Sequence, residues 1–278
     1  MPVNNMSCYL QECIDSIISQ SHSDWELIAV NDFSTDNSFE MLSDYAKKDD
    51  RIKVFNNHRK GIVPALSLAF SKSSGEFITR MDADDRMTQK KLELLKSALD
   101  NDKSIATGKV KYFSDKPISE GYLGYENWLN ARIDNDDHWK FVYRECVIAS
   151  PNWLVKRDCF EKDIDLNDLE YPEDYDMVLK WYGLGYDIVS CPELTHEWRE
   201  HPDRTSRNND AYQQPSFFQL KTKRFIEYEI FHGERIQVLG AGDKGKYVAQ
   251  ELLAQNIPFD WFDFKAEAYN NPIFGQKI

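Results

Sequence analysis

Cysteine is scarce and unpatterned in this chain. The five thiols, Cys8, Cys13, Cys146, Cys159 and Cys191, are odd in number and lack CxxC spacing, which argues against a disulfide framework or a zinc ribbon and favours a reducing compartment. Basic residues are also in short supply: 34 Lys and Arg stand against 47 Asp and Glu, for a net charge of −13. A partner made of phosphates needs a basic face, so nucleic acids and anionic membranes are disfavoured. No apolar run approaches the roughly 20 residues of a membrane span, and GIVPALSLAF is interrupted by Pro64. The opening MPVNNMSCYL lacks the basic and apolar regions of a signal peptide. The expectation is a cytoplasmic protein, with peripheral membrane contact left open.

What is present suits a globular enzyme. Hydrophobic residues make up 41% and charged residues 29% of 278 positions, enough for one large α/β domain and a small extra module. After Ser7, a candidate N-cap, the apolar positions 9, 10, 13, 14, 17 and 18 predict a helix over 7–20. WELIAVND reads as a buried strand, and the segment carrying Phe39, Leu42, Tyr45 and Ala46 as a helix. RIKVFN follows as a strand, 61–72 as a helix with Pro64 in its first turn, GEFITRM as a strand and 88–100 as a helix. YPEDYDMVLKWYGLG predicts a further helix, YDIVSC a strand and HEWREHPDRTSRNND a loop. Alternation of this kind implies a mostly parallel sheet with helices on both faces, and ligands beyond the carboxyl ends of its strands. Composition shifts near His232, so the expected domains are 1–232 and a βαβ module over 233–278.

Chemistry is concentrated in three places. GEFITRMDADDR sets Asp82, Asp84 and Asp85 side by side at a strand end, where like charges repel unless something positive intervenes. One acid suffices to cap the next helix, so three point to a divalent cation held by hard oxygen ligands together with substrate phosphates. Glu173, Asp174 and Asp176 in PEDYD read most simply as an ordinary helix start, with a general base facing a cleft as the functional alternative. His196 and His201 are candidate ligands or surface imidazoles. Arg199, Arg204 and Arg207 beside His201 form a mix able to hold a pyrophosphate. GAGDKG fits GxGxxG, with Asp260 and Asp263 where a ribose-binding acid falls, yet only one βαβ unit fits the remaining chain. Close helix packing is the plainer explanation of those glycines.

Taken in order, NDFSTDNS, RIKVFNN, KGIVPALSLAFSKSSGEFITRMDADD, SPNWLVKRDCF, PEDYDMVLKW and WREHPDRTS resemble the family 2 glycosyltransferases of the GT-A fold, over residues 1 to about 207. The resemblance implies an inverting transferase that moves a sugar from a nucleotide-diphosphate donor to a hydroxyl of a glycan or lipid-linked acceptor in polysaccharide biosynthesis. It puts Pro2 and Asp32 in the base pocket of a UDP-sugar, Asp82 near the ribose, and Arg80 on the donor side. Asp84, Asp85 and His201 are implied to hold Mn²⁺ or Mg²⁺, and Asp174 to be the catalytic base. Such proteins usually begin with an apolar strand before a Pro-Val turn. Here the sequence starts at MPV, so that first strand is expected to be missing, and the usual paired acids before the STD turn are Asn31 and Asp32. The competing expectations are a catalytically impaired partner in a glycan assembly complex, a nucleotidyltransferase, and a nucleotide sensor acting through GAGDKG.

Overall fold

The computed structural model describes residues 1–163, 172–204, 212–230, 235–265, 267 and 271–278. The chain forms two compact units, one reaching to Pro202 apart from 170–172, the other made mainly of the residues from Asp203 on. The first unit contains β1 (Pro2–Val3), α1 (Leu10–Ile18), β2 (Leu27–Asn31), α2 (Ser38–Ala46), β3 (Ile52–Asn56), α3 (Ile62–Lys72), β4 (Phe77–Ile78) and β5 (Arg86–Met87). It continues with α4 (Lys91–Ala98), β6 (Ser104–Phe113), α5 (Glu120–Asn135), a 3-10 turn (His138–Phe141), β7 (Trp153–Lys156), α6 (Arg157–Asp163), α7 (Glu173–Gly183) and β8 (Asp187–Arg199).

The alternation of β2 explains its place. All five of its residues are buried. Leu27 and Ala29 pack with Leu10, Cys13, Ile14 and Leu42 on one side, whereas Ile28 and Val30 pack with Ala65 and Ala69 on the other. A strand covered on both faces is what an α/β layer requires. Helix α1 begins later than expected: its N-cap position is Tyr9, without a side-chain cap, and Ser7 precedes it with its N–H donating to Asp36 Oδ2 at 2.9 Å.

The sheet is divided. Strands β1, β2 and β3 form a parallel set, and β4-β7-β6-β8-β5 form a second. The second set is mixed: β6 and β8 run parallel, while β7 lies antiparallel to β4 and β6, and β5 antiparallel to β8. Where a first strand was expected to be missing, Pro2 and Val3 pair with Val30 and Asn31. The Met1 amino group donates to Ile28 O at 2.9 Å. A cavity of about 410 Å³ opens beside Met1, lined from both strand sets by residues including Leu27, Phe77 and Trp153, and from α7 by Asp174.

Strand β8 departs most from expectation. It runs on through His196, Glu197 and Trp198, where a loop was expected. The segment holding Pro192 is accommodated by a bulge: Gly108 faces Cys191, Lys109 faces Leu194 and Val110 faces His196. Bulges are where a strand tolerates proline. Gly108 is required at this crossing, because a β-carbon there would lie 2.5 Å from Thr195 Oγ1. That hydroxyl is fixed by the fully buried Asn152, whose Nδ2 also donates to Gly108 O at 2.7 Å. The SPNW segment is thus a buried cross-link between β6 and β8.

The second unit contains α8 (Gln214–Glu229), β9 (Ile236–Leu239), α9 (Asp243–Ala254) and β10 (Phe259–Phe262), with β9 and β10 parallel. Compactness divides the chain before α8, at 202/203. A β-carbon on Gly245 would collide with the Gly240 carbonyl, which favours the packing explanation of GAGDKG. Asp263, a candidate ribose acid, is occupied by the Ala241 and Lys265 N–H groups.

We expect Gly108→Ala to destabilise the protein by about 1–3 kcal/mol through overpacking against Thr195. Urea denaturation followed by tryptophan fluorescence checks this, and an unchanged midpoint counts against the tight crossing.

Candidate active site

The turn after Met81 answers the problem of three adjacent carboxylates with three different partners. Asp82 Oδ1 accepts from Arg80 Nε at 2.9 Å. Asp84 Oδ2 lies 2.9 Å from His201 Nε2. Asp85, 1% exposed, meets His196 Nε2 at 3.0 Å through Oδ2 and accepts the Arg199 N–H at 2.8 Å through Oδ1.

Behind Asp85 the network continues inward. Lys91 is fully buried, donates to Pro151 O at 2.5 Å and sits 3.1 Å from His196 Nδ1. Burial draws its amine down to about 7 against the opposing pull of Asp85. With Lys91 donating to Nδ1, the Nε2 proton of His196 points at Asp85, so a neutral imidazole satisfies both neighbours. His196 is therefore neither a surface imidazole nor positioned outward as a ligand.

Arg199 ties the turn to α1. Its Nε donates to Asp84 O at 2.7 Å and its Nη2 to Glu12 at 2.9 Å, while its guanidinium stacks on Tyr9 and Phe113. Tyr9 also packs on the His201 ring, with centroids 4.6 Å apart. Arg207 lies outside the described residues.

Asp32 follows β2 and is 7% exposed. Its carboxylate accepts from Asn57 Nδ2 at 2.7 Å and from the Gly61 N–H at 3.0 Å, so it links the end of β3 to the start of α3. Asn4 donates to its carbonyl at 2.6 Å, placing the segment after Pro2 against it.

Asp174 lies in the first turn of α7, half-buried on the cavity wall. Burial first, then the neighbouring Glu173 charge, raises its carboxyl to about 7, with Arg80 opposing. Arg80 Nη1 reaches Glu173 Oε1 at 2.8 Å, both side chains being nearly inaccessible. The structure thus joins Arg80 to Asp82 and to the PEDYD helix, and groups Asp84 with His201. It turns Asp85 away from that pair, and it holds Asp32 in a separate knot at the end of β2.

Asp84 and His201 converge as one oxygen and one nitrogen donor, and His201 Nδ1 is buried without a partner among the described residues. That donor set suits Mn²⁺ or Mg²⁺ when substrate oxygens and water complete the shell. Among the described residues no group of three or more His, Cys, Asp or Glu side chains is assembled for a metal. The residues present fit a two-point hold.

Residues 1–162 match the family model for glycosyl transferase family 2. The chain belongs to that family. This glycosyltransferase is 28% identical over 249 residues to an uncharacterized glycosyltransferase of Haemophilus influenzae, covering 85% of the chain and 75% of the relative. It is 32% identical to glycosyltransferase GlyA of Streptococcus pneumoniae, covering 74% of the chain but 31% of that protein. With EpsJ, an uncharacterized glycosyltransferase of Bacillus subtilis, the identity is 32% over 73% of the chain and 60% of EpsJ. Among solved structures, S. aureus TarS 1–349 in complex with UDP-GlcNAc superposes with a TM-score of 0.61 at 15% identity, over 90% of this chain and 70% of that one. The fold is accordingly that of the GT-A glycosyltransferases. No described helix is long and apolar enough to cross a membrane.

His196→Ala removes the ring between two buried ionisable groups, and we expect a loss of roughly 3–5 kcal/mol, as when one member of a buried pair is deleted. Thermal and urea unfolding measure it; a loss below 1 kcal/mol, about a surface pair's value, counts against the network.

Proposed function

We propose that this glycosyltransferase transfers a sugar with inversion from a UDP-sugar to a hydroxyl of a glycan or lipid-linked acceptor in polysaccharide biosynthesis, with Mn²⁺ or Mg²⁺ as cofactor. The observation that carries the reading is Asp174: a half-buried carboxylate at a helix start, on a cavity wall, with its proton affinity raised to about 7. A group so poised is suited to general-base work near neutral pH. The donor identity is supported by the UDP-GlcNAc bound to TarS and by Asp32, whose position after β2 suits an acceptor of base N–H groups.

In this reading Asp174 takes the proton from the acceptor hydroxyl as that oxygen bonds to the anomeric carbon. The bond from that carbon to the diphosphate oxygen breaks, its electron pair leaving with UDP. One base opposite one leaving group gives inversion. Asp82, held by Arg80, and Asp32 orient the nucleoside. Asp84 and His201 would hold the divalent ion, which when bound supplies Lewis-acid neutralisation of the departing diphosphate. Asp85 acts from inside, fixing the turn that presents Asp84. The cytoplasmic location and any peripheral membrane contact belong to the same proposal.

Two measurements test it. Isothermal titration of UDP should show binding that needs Mn²⁺ and is lost in Asp84→Asn; metal-independent binding of equal strength in both proteins overturns the metal assignment. With a UDP-sugar panel, UDP release should rise with pH through about 7 and level off above, because the ionised form of Asp174 is the active one. Asp174→Asn should lower turnover about 10²–10⁴-fold with UDP affinity retained. A flat pH profile, or an active Asp174→Asn, removes Asp174 as the base.

A further inference from the structure

We propose that Arg80 is a positioning residue that couples the donor-side carboxylates to the base-bearing helix, by holding Asp82 and Glu173 at once. This rests on the reading of Asp174 as the base. Arg80 belongs to the strand end that delivers the acidic turn, and Glu173 is the first residue of α7 and the neighbour of Asp174. The Nε of Arg80 serves Asp82 at 2.9 Å and its Nη1 serves Glu173 at 2.8 Å. A planar fork can meet two carboxylates from different elements at fixed geometry; an ammonium, a point charge on a flexible stem, cannot reproduce that span. The side chains of Arg80 and Glu173 are 7% and 6% exposed. Buried ion pairs add little net stability compared with apolar packing, and their best-attested use is to fix register.

The consequence is both geometric and electrostatic. Asp174 is influenced by Glu173 on its own helix and by Arg80 and Asp82 from the strand end, and its charge is felt by Cys146, Tyr125 and Tyr175. Glu173 pushes the proton affinity of Asp174 up and Arg80 pulls it down. Arg80 thus sets both where the base stands and the pH at which it works, without touching the reacting atoms. It also means that displacing Asp82 on the donor side changes the load on the arm that holds Glu173.

The test uses the full chain and a readout that needs no turnover. The carboxyl carbon of Asp174 is identified by ¹³C NMR as the signal lost in Asp174→Asn, and its titration is followed in wild type, Arg80→Lys, Arg80→Gln and Arg80→Gln/Glu173→Gln. The expected midpoint moves up by about one pH unit or more in Arg80→Gln and returns toward wild type in the double variant, which leaves no unpaired charge at position 173. Arg80→Lys should keep the midpoint but lower turnover of UDP-GlcNAc, or of whichever UDP-sugar the panel selects, by roughly tenfold or more through misplacement, with a smaller loss of affinity for UDP plus Mn²⁺ than of turnover. A midpoint in Arg80→Gln equal to wild type overturns the coupling, as does a tenfold weaker UDP affinity in Arg80→Lys with turnover intact, which would make Arg80 a donor contact. Should Arg80→Gln fail to fold, the double variant and Arg80→Lys carry the same decision. If no UDP-sugar is turned over by wild type while the midpoints move as expected, the transferase reading fails and the coupling stands.

Discussion

Three carboxylates within four residues at the end of a strand repel one another, and relieving that repulsion organises the first unit. Each acid is matched to its own partner from a different place: Arg80 from just past β4, His196 from within β8, and His201 just beyond β8. The turn can therefore form only when β8 is docked alongside β5 and β6. Lys91 lies under His196, and Arg199 carries the connection out to Glu12 on α1. Charge balance and tertiary topology are one requirement here, since a carboxylate without its partner in this environment carries a heavy desolvation cost.

The same arrangement divides labour among acids that look alike in sequence. Asp85 spends both oxygens on the interior, Asp84 faces an imidazole, and Asp82 shares a guanidinium with Glu173. Asp174 differs from all of them because burial and a like-charged neighbour dominate its surroundings. The surroundings of these acids thus differ over a short path, each set by environment and not by residue type.

The alternating elements from α1 to α4 were legible because hydrophobic periodicity in that stretch is strong, and β2 is buried on both faces as its uniform LIAVN composition suggested. The acidic turn and the PEDYD helix were legible from clustered charge. Other features were not. Lys91 sits in KKLELL, which reads as a solvated helix face, yet it is wholly buried; only its distant partner Pro151 and the His196 ring make that position tolerable. The length of β8 was hidden because Pro192 normally ends a strand, and a bulge opposite Gly108 and Lys109 is a long-range accommodation that local pattern does not encode. The inward turn of Asp85 likewise depends on a histidine more than a hundred residues away.

The bulge in β8 has a bearing on which lengths of chain the fold can accept. Between Gly108 and Val110 strand β6 advances two positions while β8 advances five, from Cys191 to His196. The surplus is odd, so it inverts the inside-outside phase of everything that follows. That inversion is what turns His196 inward to Asp85 and leaves Glu197 on the outer side with Arg86. Losing or gaining a single residue between 191 and 195 would exchange those two side chains and drive a carboxylate against a carboxylate. This short stretch behaves as a parity lock: its composition is free to drift within packing limits, but the parity of its residue count is not.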